Sequence, residues 1–264
     1  MSSTSKTFIL GVGAQKAGTT WLHAQLCKNS FFNPGFTKEY HTFDCIYAPQ
    51  YSEWSNKWLK KLRLIGNSSD ENKRKKADLA RRLLFVYDPN SYFNYFENLM
   101  CSSPTTSLVA DITPSYSLLG ANALKEIKKN LLSRGFKVKV VFLMRDPVER
   151  IWSAKRMKHR YAEAHGIKKT LNAEDSLLQS LNNKKHPDLK THYEHTVQTL
   201  DSVFAADEIY FGFFENLFNQ SAFDEFKVFI DQDLQDPDFD TSYNVSPKAS
   251  GLSVDTHKLL ARNY

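Results

Sequence analysis

Cysteine is scarce in this chain. Three occur, Cys27, Cys45 and Cys101, with no Cys-x-x-Cys pair, so at least one thiol stays unpaired in a monomer and reduced thiols are the expectation. No stretch supplies the ~20 apolar residues needed to cross a bilayer. The start, Met1-Ser-Ser-Thr-Ser-Lys6, carries no apolar targeting segment. The expectation is a soluble, cytoplasmic protein without a membrane span. No internal repeat or long low-complexity tract is present, and the histidines lack His-Glu-x-x-His or Cys/His ligand spacing, so no metal site is assigned. What the chain has instead is a modest positive excess, +6 with a pI near 9.0. That favours anionic ligands without choosing among them, and no nucleic-acid partner is called for.

The 264 residues, 41% hydrophobic with 19 Phe, suit a single α/β domain over 1–264 with a substantial core. Strand patterns at about 6–12, 107–111, 137–144 and 208–213 alternate with helical ones near 19–28, 72–86, 91–100, 121–133, 147–163, 189–204 and 222–230. This alternation predicts a three-layer fold, a central parallel β-sheet flanked by helices. Gly135 stands where the helix over 121–133 should stop. At about 52–103 lies a basic helical insertion, with clusters Lys57/Lys60/Lys61/Arg63 and Lys73-Arg-Lys-Lys76 around the polar turn Gly66-Asn-Ser-Ser-Asp70. Such a run reads either as a solvated helix face or as a surface for an anionic acceptor.

The stretch Phe8-Ile-Leu-Gly-Val-Gly-Ala-Gln-Lys-Ala-Gly-Thr-Thr-Trp21 reads as a buried strand, a glycine-bounded loop and the first turn of a helix. Gly13 and Gly18 have P-loop spacing, and a helix starting there would aim free N–H groups at a phosphate. The Gly-Lys-Ser/Thr of an ATP–magnesium loop is absent, however: Thr19 fills the Lys position and Lys16 lies inside the loop. The run resembles the 5′-phosphosulfate loop of sulfotransferases that use 3′-phosphoadenosine 5′-phosphosulfate (PAPS), a P-loop-like fold. That resemblance assigns Gln15, Lys16, Ala17, Gly18, Thr19, Thr20 and Trp21 to the nucleotide. A second run, Val140-Val-Phe-Leu-Met-Arg-Asp-Pro-Val-Glu-Arg-Ile-Trp-Ser153, is a strand, a turn and a helix with its start written locally. Asp146 is the N-cap, Pro147 opens the helix and Glu149 follows three after the cap. Arg145 sits at the strand's C-terminal end, where open α/β folds bind ligands. The run resembles the family's 3′-phosphate motif, placing Arg145 and Ser153 on that phosphate; Arg150, the motif's second Arg, is read as packing and salt-bridging, with ligand contact as the alternative.

Between these motifs, Thr37-Lys-Glu-Tyr-His-Thr-Phe-Asp44 resembles the Lys-Glu-x-x-Phe-Phe-Asp segment of the heparan-sulfate-type branch. Sulfuryl transfer to a hydroxyl needs a base for the acceptor proton and positive groups for the leaving phosphate. The resemblance makes Glu39 the base with Lys38 beside it, while His41 is the rival, since imidazole titrates near working pH. Lys16 is the cation at the bridging oxygen. Ala110-Asp-Ile-Thr-Pro-Ser-Tyr116 resembles the family's Glu-Lys-Thr-Pro-x-Tyr segment, with Asp111 for Glu and Ile112 for the glycan-type Lys; Thr113 and Tyr116 are expected at the acceptor cleft. Near the end, Tyr243–Leu252 resembles a loop closing over the nucleotide, with Lys248, Ser250 and Gly251 as phosphate contacts. No Cys pair flanks this loop as in Golgi relatives. The chain stops at Leu259–Tyr264 inside a helical pattern that relatives extend, which fits a short member or a shortened chain. The resemblance implies a PAPS-dependent sulfotransferase releasing PAP, without metal, acting on a hydroxyl or amine of an unidentified acceptor, with a carbohydrate favoured. The alternatives are a P-loop nucleotide kinase, which should carry Gly-Lys-Ser/Thr, and a catalytically silent nucleotide- or glycan-binding module.

Overall fold

The computed structural model describes residues 6–66, 69–168, 170–182, 189–243 and 251–262. Among them, five strands pair in one all-parallel sheet: β1 (Thr7–Gly13), β2 (Phe32–Asn33), β3 (Leu108–Ile112), β4 (Lys137–Met144) and β5 (Ile209–Phe213), in the order β2-β3-β1-β4-β5. The expected α/β fold with a central parallel sheet is present. Every residue of β1 and β3 is buried, as befits central strands covered on both faces. The two-residue β2 was not foreseen, being too short to show a period.

Helices α1 (Thr19–Leu26), α6 (Ala121–Ser133), α7 (Pro147–Ala164) and α10 (Gln220–Ile230) follow the sheet strands closely in sequence. Gly135, at φ 79°, ends α6 as expected: its N–H and that of Phe136 reach back to the carbonyls of Leu132 and Leu131 at 3.0 and 3.1 Å. The insertion folds as α3 (Trp54–Leu64), α4 (Asp70–Tyr87) and α5 (Pro89–Met100). Its last helix buries Tyr92, Phe93, Phe96 and Met100, a one-sided spacing that lays α5 on a face of the sheet; Phe96 meets Phe8 of the central strand β1 edge-on at 4.8 Å. Burying a side chain such as Phe96 contributes about 1.5–3 kcal/mol. Helix α3 buries only Ser55, and its lysines stay in solvent.

The remaining helices are α2 (Thr42–Tyr47), α8 (Ala173–Asn182), α9 (Tyr193–Asp201) and α11 (Val254–Ala261). The pattern read as one helix over 189–204 is broken at His192 (ψ 73°) into a short 3₁₀ turn, Leu189–Thr191, and α9. Another 3₁₀ turn, Pro114–Leu118, leaves the C-terminal end of β3. The C-terminal ends of β1, β3, β4 and β5 thus open toward one edge of the sheet, the edge where ligands of open α/β folds bind.

Candidate active site

At that edge lies a cleft of about 1560 Å³. Its floor is the loop between β1 and α1. Gly18 begins α1 at φ 89°, a backbone conformation that favours glycine, and a Cβ there would press on Leu217 Cδ2 at 2.5 Å. Lys16 is also left-handed, φ 72°. No side chain caps α1, so the first-turn N–H groups of Thr19, Thr20 and Trp21 end at the cleft. Gln15, Lys16, Gly18, Thr19, Thr20, Trp21, Glu39, His41, Arg145 and Ser153, expected from three separate segments, all line this one cavity. Ala17 is wholly buried and offers backbone only. Trp21 keeps its ring in an aromatic nest, stacked on Phe239 at 5.9 Å and donating its indole N–H to the Asp238 carbonyl at 2.7 Å.

Arg145, one residue beyond β4, lays its guanidinium over the Phe214 ring at 4.3 Å. Its Nη1 donates to the Lys16 carbonyl and Nη2 to Glu149, each at 3.2 Å, while its buried Nε has no hydrogen-bond partner. The N-cap forms as expected, Asp146 Oδ1 accepting from the Glu149 N–H at 2.9 Å, but the Glu149 carboxylate turns to Arg145 instead of closing a capping box. Ser153 and Arg156, on successive turns of α7, face the same space. Burial, together with the charges of Arg160, Arg145 and Arg156, holds the Lys16 ammonium below its usual pKa. An anion held among these groups would relieve both effects. Arg156 and Arg160 had no sequence assignment; their signal was spacing on α7 beyond Ser153. Arg150 is fully buried and donates to Thr191 Oγ1, in keeping with a packing role.

The opposite wall is the loop 37–44. Glu39 pairs with Lys38 at 2.7 Å and with His41 Nε2 at 3.3 Å, while His41 Nδ1 lies 2.7 Å from the fully buried Asp44. Ser115 donates to the same Asp44 oxygen, and the Cys45 N–H donates to the other at 2.9 Å. His41 is thus clamped between two carboxylates, at φ 57°. Burial lowers its pKa, but hydrogen bonds to Asp44 and Glu39 outweigh this and raise it overall. For Glu39 burial acts upward, and the His41 hydrogen bond with the Lys38 charge brings it down to about 2. Asp44 and Ser115 were not singled out from sequence. Lys38 also donates to Thr19 Oγ1 at 3.2 Å, tying this loop to the start of α1. From the insertion, Arg82 grips the loop, donating to the Tyr40 carbonyl and Thr37 Oγ1, both at 2.9 Å.

Not every expected residue is placed at the cleft. Thr113 and Tyr116 do not line the cleft: they are 0% and 1% exposed and donate to Asp111 at 2.6 and 2.8 Å. The Tyr92 hydroxyl donates to it at 2.9 Å and the Tyr40 N–H at 3.4 Å, so Asp111 gathers the underside of the loop 37–44 into a buried hub. The physical reason is the three-residue period of the 3₁₀ turn, which sends Thr113, Tyr116 and Leu119 inward and leaves Pro114, Ser115 and Leu118 at the cavity. Gly251 is exposed and away from the cavity lining, and Lys248 and Ser250 lie outside the described residues. Aromatic residues fill both ends of the cleft: Phe214, Phe218 and Phe239 by α1, and Tyr51 and Trp54 by His41, with Trp54 4.6 Å from the imidazole.

No helix among the described residues is long and apolar enough to cross a membrane. No curated protein sequence matches the chain. The fold resembles the crystal structure of a sulfotransferase from Alicyclobacillus acidocaldarius at 16% identity, covering 99% of this chain and 93% of that one, with a TM-score of 0.57. The sulfotransferase domain of the Synechococcus PCC 7002 olefin synthase aligns at 14% identity over 99% and 96% of the two chains, with a TM-score of 0.49. A sequence model described as the sulfotransferase family matches residues 8–184, which include the loop 13–21, the loop 37–44 and the Arg145–Ser153 run. The chain belongs to the sulfotransferase family.

Proposed function

We propose that this protein transfers a sulfuryl group from PAPS to an acceptor hydroxyl or amine in the cleft between the two loops. The observation that carries the reading is the convergence, in one cavity, of a cation-rich phosphate cradle and a carboxylate–imidazole–carboxylate array. The residues fit the donor. Arg145 has a buried Nε without a partner, Lys16 is crowded by three guanidinium charges, and the N-cap of α1 is a glycine with no side chain to close it. PAPS supplies the activated sulfuryl group and a phosphate leaving group. Arg145 and Ser153 hold the 3′-phosphate, and the N–H groups of 18–21 with Lys16 hold the 5′ end. Phe214, Phe218 and Phe239 offer the flat apolar surface an adenine needs.

In the transfer, the sulfur–oxygen bond to the phosphate breaks and one to the acceptor oxygen forms; the acceptor proton goes to Glu39. A carboxylate held near 2 is a weak base, yet the acceptor proton becomes acidic as the new bond forms, so a late transfer suffices. His41, fixed by Asp44 and Ser115, positions Glu39 and spreads the arriving proton over the coupled groups. Lys16 stabilises charge growing on the leaving phosphate. The half-buried Trp54, backed by the buried Tyr51, suits the ring face of a sugar or another cyclic acceptor. One domain over 1–264 carries all of this. A thermal-shift screen of PAP, PAPS, magnesium–ATP and NAD tests the reading: PAP and PAPS should stabilise the chain and the others should not. Stabilisation by magnesium–ATP alone would assign the cleft to a kinase.

A further inference from the structure

At the junction of the 3₁₀ turn Leu189–Thr191 and α9, three side chains converge that no part of the sulfuryl-transfer site uses. His192, Glu194 and His195 each offer one ligand atom, all within 4.8 Å of one another. His192 Nδ1 is 3.1 Å from Glu194 Oε1, and that same oxygen is 3.9 Å from His195 Nε2. Two imidazoles and a carboxylate on a tetrahedral ion stand about 3.3 Å apart, given metal–ligand bonds of about 2.0–2.1 Å. Small rotamer changes of side chains that are 29%, 59% and 74% exposed close the remaining gap. The carboxylate also offsets the positive end of α9, which would otherwise oppose a cation.

The backbone beneath is held on its inner side. Thr191 accepts from the buried Arg150, the Tyr193 hydroxyl donates to the Arg145 carbonyl at 3.0 Å, and Thr196 donates to the Ser117 carbonyl at 3.1 Å. With the inner face fixed, the three donors are carried on one turn of ordered chain, so little order remains to be imposed on binding. The sequence His192-Tyr-Glu-His195 matches none of the usual zinc spacings, so only the bend at His192 brings its ring beside the other two.

We propose that His192, Glu194 and His195 form a surface site for a borderline divalent transition ion of the Zn²⁺ class, separate from the cleft and unused in its chemistry. Two imidazoles and one carboxylate, with water completing the shell, are the donor set such an ion takes. Calorimetric titration of the metal-free full chain with Zn²⁺ tests it, with Co²⁺ as a visible-absorption probe of the same shell. One equivalent should bind with micromolar affinity, and His195→Ala and Glu194→Gln should each weaken it at least about tenfold without changing the melting temperature of the metal-free chain. The competing thiol–imidazole pair is Cys27 and His23, whose Sγ and Nδ1 are 3.6 Å apart; Cys27→Ser should leave binding unchanged. Binding that survives His195→Ala, that is lost in Cys27→Ser, or that fails to reach sub-millimolar affinity overturns the proposal.

Discussion

Replacing Glu39 by Gln isolates the proton-accepting step. The amide keeps the shape of the carboxylate and can still accept from Lys38, now 2.7 Å away, but it cannot take a proton from the acceptor. A positioned general base contributes about 10²–10⁴ in rate, or about 3–5 kcal/mol, and that is the expected loss of turnover. PAP affinity should stay within about threefold, because no group of the phosphate cradle is touched. The clamp adds a second readout. Asp44 and Glu39 both hold a proton on His41, so removing the Glu39 charge should lower the His41 pKa while leaving the Asp44 bond in place. Imidazole resonances followed by NMR would show this. The pH profile separates the two bases. Glu39, held at about 2, stays ionised from pH 5 to 8, so wild-type turnover should show no acid limb there. Were His41 the base, its raised pKa would make the rate fall as pH drops through that range. Full activity of Glu39→Gln, or an acid limb that survives the substitution, would refute the assignment.

Lys16→Ala should lower turnover about a hundredfold, about 3 kcal/mol, while EDTA leaves the wild type unaffected; loss on chelation, restored by magnesium, would point to a kinase. Arg145→Ala should weaken PAP by about 2–4 kcal/mol in calorimetry and leave adenosine 5′-phosphate nearly unchanged; equal losses for both would move the 3′-phosphate elsewhere. Burial raises Asp111 from 3.8 to about 6, despite hydrogen bonds from Thr113, Tyr116 and Tyr92. The folded chain therefore holds this proton more tightly than the unfolded one. The group's contribution is present below about pH 4 and lost as pH rises through about 6, a change of about 3 kcal/mol for about two pH units. Denaturant titrations should show that Asp111→Asn flattens the dependence of stability on pH between 4 and 6; an unchanged profile would mean the hub is ionised throughout.

The sheet was legible because β1, β3 and β4 are short segments dominated by apolar and β-branched residues, and the sharp helix starts were legible because Asp146, Pro147 and Gly18 write them locally. That the loop 13–21 and Arg145 would line one cleft was legible for the same reason: a glycine-bounded loop and an Arg at a strand end are contiguous signals. The wall formed by the loop 37–44 was less so. Asp44 reaches His41 within one turn of chain, but Ser115 joins them only because the loop 37–44 folds over the start of the 3₁₀ turn Pro114–Leu118, its bond to Asp44 spanning 71 residues. Thr113 and Tyr116 were assigned to the wrong face because a single sequence shows no register where a strand passes into a 3₁₀ turn. Nothing in the basic pattern of the insertion sets Arg82 apart, yet its side chain turns inward to hold the Tyr40 carbonyl.

The measurement that bears most directly on sulfuryl transfer from PAPS is the affinity of the wild-type chain for PAP against adenosine 5′-phosphate, by calorimetry at one salt concentration with EDTA present. The two ligands differ only in the 3′-phosphate that Arg145 and Ser153 are assigned to hold. A charge-assisted fork in a partly buried site predicts PAP tighter by about 2–4 kcal/mol, some thirtyfold to nearly a thousandfold. Equal affinities, or a requirement for magnesium, would contradict the account.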